Sequence, residues 1–249
     1  MEYTDTHRAL VQVFMENKML TIPDIKEVLH AVNESDSEMS VNDTIKLINE
    51  KLHFLHLEIK TITLQDTTET VYCFVNTLPD KVMEFSTIFS VTEVTILKKL
   101  IEMIMLHRSN DSDEEYYISR KEAIILIREQ SSLQANQAND LLHKLVENKW
   151  FERRGDKYTL SPLCLIELKD MLIEKYQTRK ENGIVNICQQ CEGIVTFGVR
   201  CTCYIRFHHD CFRKYNVINP QETCPNGHNL PKGMVGKIFY EVQDNENNS

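Results

Sequence analysis

Glycine is scarce in this chain, at seven of 249 residues, and no stretch gathers several of them into a phosphate-cradling loop. Backbone that wraps a phosphate needs residues without a Cβ, so the shortage argues against a nucleotide site. A nucleophile elbow is also missing, and with it the usual mark of a serine hydrolase. No run of about 18 apolar residues exists, so no membrane span is expected. The opening residues, Met1 to Asp5, are acidic and polar and lack a basic-then-apolar leader, which predicts a protein kept in the cytosol or nucleus. Positive charge is in deficit: 28 Lys and Arg stand against 37 Asp and Glu, for a net charge of −9. Residues 186–249 are neutral, so the body of the chain carries the whole excess. Such a body does not attract nucleic-acid phosphates in bulk; contact with DNA would be weak or indirect, through a partner or a local patch.

Cysteine is unevenly placed. Six of eight lie between Cys188 and Cys224, whereas Cys73 and Cys164 stand alone in apolar surroundings. Reducing compartments keep thiols free, and clustered thiols interleaved with histidines read as a metal site. The candidates are Cys188, Cys191, Cys201, Cys203, His208, Cys211, Cys224 and His228. Eight such groups fill two tetrahedral Zn²⁺ sites. The spacing runs Cys-x₂-Cys, nine residues, Cys-x-Cys, four residues, His-x₂-Cys, twelve residues, Cys-x₃-His. Interleaved pairing puts Cys188, Cys191, His208 and Cys211 on one ion and Cys201, Cys203, Cys224 and His228 on the other. Consecutive pairing, as in tandem fingers, is the alternative. His209 rivals His208 but would shorten the knuckle to His-x-Cys. So short a segment needs its metals to fold.

Upstream, three helices and a hairpin occur twice. In the first block apolar residues recur at helical spacing over Thr6–Asn17, after an N-cap at Thr21, and after another at Ser40. The period then changes to alternation over Leu57–Leu64, and Val71–Val75 returns after a polar turn. In the second block Thr92–Leu106 is helical and Asn110–Glu115 reads as a charged loop. Ser119-Arg120-Lys121-Glu122 forms a capping box. A helix over Gln134–Asn148 precedes a tight hairpin around Gly155, and Ser161-Pro162 opens a helix through Tyr176. This order predicts an α+β, multidomain chain: two tandem winged-helix domains followed by a zinc-binding RING-like cross-brace. The boundaries are residues 1–85, 86–177, a linker at 178–185, the metal domain at 186–240 and a disordered tail at 241–249.

The metal segment resembles the variant RING of the first non-SMC element family, a subunit of the DNA-repair complex built on the fifth and sixth SMC proteins. Cys203-Tyr204-Ile205-Arg206-Phe207-His208 before Cys211, and Cys224-Pro225, carry the likeness. That family has two winged-helix domains before the RING, so the resemblance covers nearly the whole chain. One departure is His228, where a Cys two residues earlier would be usual; zinc accepts imidazole there. The resemblance implies a nuclear, chromatin-associated protein and ubiquitin-ligase activity stimulated by a MAGE-domain partner. It further implies partnership with a kleisin subunit, the SMC heterodimer and a ubiquitin-conjugating enzyme.

A RING ligase has no catalytic residue of its own and docks the charged conjugating enzyme in an apolar groove. Here Gln190, Phe212 and Pro225 are the docking candidates, with Tyr215 and Val217 as further bulk. Gln190 is polar where an aliphatic residue is usual, and Asn229 is not basic, so weak intrinsic activity is expected. A histone-reading PHD-type finger fits the Cys203-x₄-His208-x₂-Cys211 stretch, but Glu222 stands where that finger carries its Trp, and Trp150 is far off. A purely structural interaction module is the third reading. Arg153, Arg154 and Lys157 make a basic wing tip, either solvated or touching a DNA backbone.

Overall fold

The computed structural model describes residues 2–32, 40–77, 88–109 and 113–236. The chain divides into two compact units, Met1–Asp80 and Lys81–Ser249. The expected domain boundary at 85–86, the loop residues Asn110–Ser112 and the tail at 241–249 lie outside the described residues.

The first unit runs α1 (Asp5–Asn17), β1 (Met19–Thr21), α2 (Ile22–Val32), α3 (Val41–Leu52), β2 (Leu57–Thr63) and β3 (Thr70–Asn76). Thr21 caps α2: its N–H and hydroxyl both donate to Asp24 Oδ2, at 2.8 and 2.7 Å. Leu10, Phe14, Ile25, Leu29, Ile45 and Ile48, spaced along their helices by three or four, meet Ile59, Tyr72 and Phe74 from the sheet. The Asn49 side chain ties α3 to β2, donating to the Ile59 carbonyl at 3.0 Å and accepting from its N–H at 2.8 Å. The hairpin register runs from Leu57↔Asn76 to Thr63↔Thr70. Strand β1 pairs with β3 and completes the sheet in the order β1-β3-β2. Sequence pattern does not reveal it, because three residues are too few to show alternation.

The second unit begins with α4 (Val91–Leu106), β4 (Arg108–Ser109), β5 (Asp113–Glu114), β6 (Ile118–Ser119), α5 (Arg120–Gln130) and α6 (Ala135–Glu147). It continues with β7 (Phe151–Arg154), β8 (Lys157–Leu160), α7 (Pro162–Glu167) and α8 (Lys169–Tyr176). The sheet order is β6-β8-β7. Ser90 with Glu93 and Ser119 with Glu122 form reciprocal caps on α4 and α5. The helix expected from Pro162 to Tyr176 breaks at Leu168, a fully buried residue between α7 and α8. Thr178–Val185, which polar composition reads as a linker, is folded. It makes a short 3₁₀ turn at Arg179–Glu181, Thr178 bridges to Val185, and Val185 is fully buried. The charged loop also departs from expectation, since both Glu114 and Glu115 are buried.

The last part is small: β9 (Gly198–Arg200), β10 (Arg206–Phe207), α9 (His209–Ile218) and β11 (Gly233–Val235), with the sheet ordered β10-β9-β11. Its apolar residues, among them Val185, Ile194, Val195 and Phe207, belong to the same continuous core as Leu100, Ile127, Leu142 and Leu172 of the preceding winged helix. The Gly236 N–H donates to the Glu114 carbonyl at 2.6 Å, joining the end of β11 to β5.

Candidate metal centres

Cys188 and Cys191 lie on one tight turn, in which Cys188 N–H donates to the Gly193 carbonyl at 2.8 Å and Glu192 N–H to the Cys188 carbonyl at 3.0 Å. His208 is the residue before α9, and Cys211 sits in the first turn of that helix. A spacing of three there puts both on one side. Cys201 and Cys203 share a turn closed by Cys201 N–H to the Ile205 carbonyl at 3.0 Å. Cys224 and His228 share another, closed by Cys224 N–H to the His228 carbonyl at 2.7 Å. Gly227 takes φ +79 in that knuckle, the left-handed conformation that accommodates the extra residues Asn226-Gly227.

The structure brings the eight groups together as two interleaved sets: Cys188, Cys191, His208 and Cys211, and Cys201, Cys203, Cys224 and His228. Within each set the donor atoms lie within 4.8 Å of one another. Around a tetrahedral ion with zinc's bond lengths, donor atoms stand about 3.5–3.8 Å apart. Observed separations are 3.8 Å for Cys203 Sγ to Cys224 Sγ and 3.5 Å for Cys224 Sγ to His228 Nδ1. In the other set, Cys191 and Cys211 Sγ lie 3.2 and 3.9 Å from His208 Nδ1. All the cysteines are free thiols. These distances fit two metal ions, each held by three thiolates and one imidazole.

Outer contacts prepare the donors. His208 Nε2 lies 3.1 Å from the Ile194 carbonyl; a proton there leaves Nδ1 as the free donor. Asn226 Nδ2 donates to Cys203 Sγ at 3.6 Å. Hydrogen bonds from Cys191 and Cys211 pull the Cys188 thiol far below its ordinary value. Hydrogen bonding with Cys188 and Cys191 pushes Cys211 up. Burial opposes charge on His208, but its thiol neighbours outweigh burial and raise it to about 10. A metal must displace those protons to bind. His209 lies outside the set and packs on the Phe197 ring, centroids 4.6 Å apart.

Of the docking candidates, Gln190 and Pro225 are exposed on their knuckles, whereas Phe212 is half-buried beside Phe207. Tyr215 also turns inward, its hydroxyl donating to the Thr223 carbonyl at 3.0 Å. The exposed bulk on α9 is Val217 and Ile218, each 80% exposed. The wing cations already have contacts: Arg153 Nε donates to the Gly155 carbonyl at 2.9 Å, Arg154 lies 3.9 Å from Glu152, and Lys157 lies 4.3 Å from the Tyr117 ring centroid. Sequence reasoning missed Glu114, Asn186 and Arg206, which form a buried polar cluster beside the second set. No alternation marks it in the sequence, since Glu115 is buried as well as Glu114.

Residues 7–168 match a family model described as the Nse1 non-SMC component of the SMC5-6 complex. Residues 188–227 match a RING-like domain. A Homo sapiens protein named non-structural maintenance of chromosomes element 1 homolog is 27% identical, over 98% of this chain and 90% of its own length. A Drosophila melanogaster protein of the same name is 26% identical, over 86% of this chain and 82% of its own. A chain from a solved structure titled Nse1-Nse3-Nse4 complex has the same fold, with TM-score 0.73 at 19% identity, covering 94% of this chain and 99% of that one.

Proposed function

From the premise that this chain belongs to the Nse1 family of non-SMC components of the SMC5-6 complex, we propose that it is a RING-type ubiquitin ligase subunit of that complex. It works in the nucleus on chromatin, mainly when bound to a MAGE-domain partner. One observation carries the reading: two interleaved sets of three thiols and one imidazole stand at metal-binding separations inside a RING-like segment. Zinc suits these soft donors, and Cys₃His is one of its structural donor sets. Bound there, zinc supplies rigidity and no reaction, since all four positions of each ion are taken.

The chain's own residues then present a surface. The knuckle holding Gln190, the knuckle holding Pro225 and the end of α9 with Val217 and Ile218 are exposed. A conjugating enzyme charged with ubiquitin docks there, and a substrate lysine attacks the thioester. By analogy with the solved Nse1-Nse3-Nse4 assembly, the partners are a MAGE-domain subunit and a kleisin subunit, with the SMC heterodimer beyond them. The wing cations give DNA no more than weak contact.

A second reading, a non-catalytic interaction subunit, is favoured by Gln190 and Asn229, which are polar and uncharged where active RINGs carry aliphatic and basic residues. Ubiquitination assays with a panel of conjugating enzymes separate the two. The ligase reading expects weak chain formation by the protein alone and at least about tenfold more with the MAGE-domain subunit. No activity in either condition, at two bound zinc equivalents, would establish the scaffold.

A further inference from the structure

Glu114 lies in β5 of the second winged helix, yet its side chain is spent on the RING-like segment. It is 7% exposed. Its Oε2 accepts from Arg206 Nε at 3.1 Å and from Asn186 Nδ2 at 2.6 Å. Its Oε1 accepts from Arg206 Nη2 at 3.0 Å and pairs with Arg179 Nη2 at 2.8 Å. The Arg206 fork is thus held along its Nε–Nη2 edge by one carboxylate in two parallel bonds, a geometry lysine could not reproduce.

The third nitrogen of that guanidinium faces the other way. Arg206 Nη1 donates to the carbonyls of Cys203, Ile205 and Cys201, at 2.6, 2.9 and 3.3 Å. Those carbonyls belong to the turn that carries two of the four donors of the second set. Three thiolates and a neutral imidazole around a divalent ion leave one net negative charge, which a nearby guanidinium favours. Arg206 is itself 6% exposed, and a cation so buried needs a carboxylate opposite it. Its backbone also touches the first set's knuckle, where Gln189 N–H donates to the Arg206 carbonyl at 2.9 Å. Side-chain substitution leaves that bond in place, so the side-chain effect falls on the second set.

We propose that Glu114 is a positioning residue for the second metal centre: it aims the Arg206 guanidinium that holds the Cys201–Ile205 turn, so the winged helix sets how firmly one of the two ions is held. The inference rests on the reading that both sets bind zinc.

The test uses the full-length protein loaded with zinc. Metal content of the wild type is measured first; fewer than two equivalents overturns the zinc reading and this inference with it. Zinc release to a chromophoric chelator is then followed in Glu114→Gln, with maleimide labelling and peptide mass spectrometry to locate the thiols freed first. The expected result is that one equivalent leaves at least about tenfold faster, the scale of outer-contact effects on metal affinity. Cys201, Cys203 and Cys224 label first, and the other equivalent keeps its wild-type rate. Ile127→Ala, which weakens the winged-helix core and removes no hydrogen bond of the cluster, serves as the structural control. Should Glu114→Gln not fold, Glu114→Asp, which draws the carboxylate back by one methylene, is expected to show the same order with a smaller factor. Wild-type release of both ions, equal acceleration of both as in the control, or earlier labelling of Cys188, Cys191 and Cys211 would overturn the proposal.

Discussion

The two nitrogens of His208 have separate duties. Nε2, 3.1 Å from the Ile194 carbonyl, is the donor; Nδ1 faces Cys191 and Cys211. His209 puts its ring against Phe197 instead, where burial lowers its basicity. His208→Ala is therefore expected to lower bound zinc from two equivalents to one by elemental analysis, while His209→Ala keeps two. Equal loss in both would contradict the assignment. At this scale the donors were legible because residue type and short spacing already constrain the chemistry: six cysteines and two histidines clustered at Cys-x₂-Cys and His-x₂-Cys spacing read as metal donors. The choice between the two histidines needed the start of α9. Glu114 was not legible at all. It sits among acidic residues that read as solvated, and what buries it is an arginine 92 positions away. A buried ion pair leaves no periodicity, and its energy depends on both partners being desolvated together.

Helix α9 begins at one metal set and ends at a knuckle of the other. His208 and Cys211 stand at its N-terminus, and Tyr215 and Asn219 hold the Thr223 carbonyl next to Cys224. Phe212 and Tyr215 face inward toward Phe207, which leaves Val217 and Ile218 outward. Two adjacent aliphatic side chains at a helix end, bound to no core, suit a docking surface better than a folding role. Replacing both, Val217→Asp with Ile218→Asp, is expected to keep two zinc equivalents and cut partner-stimulated discharge of ubiquitin from the conjugating enzyme by about tenfold or more, roughly 1.4 kcal/mol of docking energy. Unchanged discharge in a folded variant would place the docking surface elsewhere. Elements with local causes were readable in the same way: the Ser119–Glu122 cap is written within four residues. Strand β1 and the break at Leu168 were not, since one depends on pairing with β3 and the other on tertiary packing.

The order of winged helices and RING was readable from element order and cysteine spacing, but the way the second unit shares its interior was not. Sequence suggests a metal domain hung on a linker. In the structure, Val185 and Cys188 join the core that contains Leu142 and Leu172, and Arg179 of the would-be linker reaches Glu114. A structural zinc contributes about 10–16 kcal/mol of binding free energy, against about 5–15 kcal/mol for the net stability of a whole domain. Removing both ions therefore takes away at least as much as holds the second unit together, and a continuous core passes that loss from the knuckles to the winged helix. The first unit has its own core, with Phe14, Ile25 and Ile48 closed over Tyr72 and Phe74, and holds no donor of either set. Hydrogen exchange read by mass spectrometry during chelation should then show β9, β10 and the β6-β8-β7 sheet losing protection together, while Ile25–Leu29 and Val71–Val75 keep theirs. Loss confined to residues 186–236, with α5 and α6 still protected, would mean that the metal segment folds independently of the winged helix it packs on.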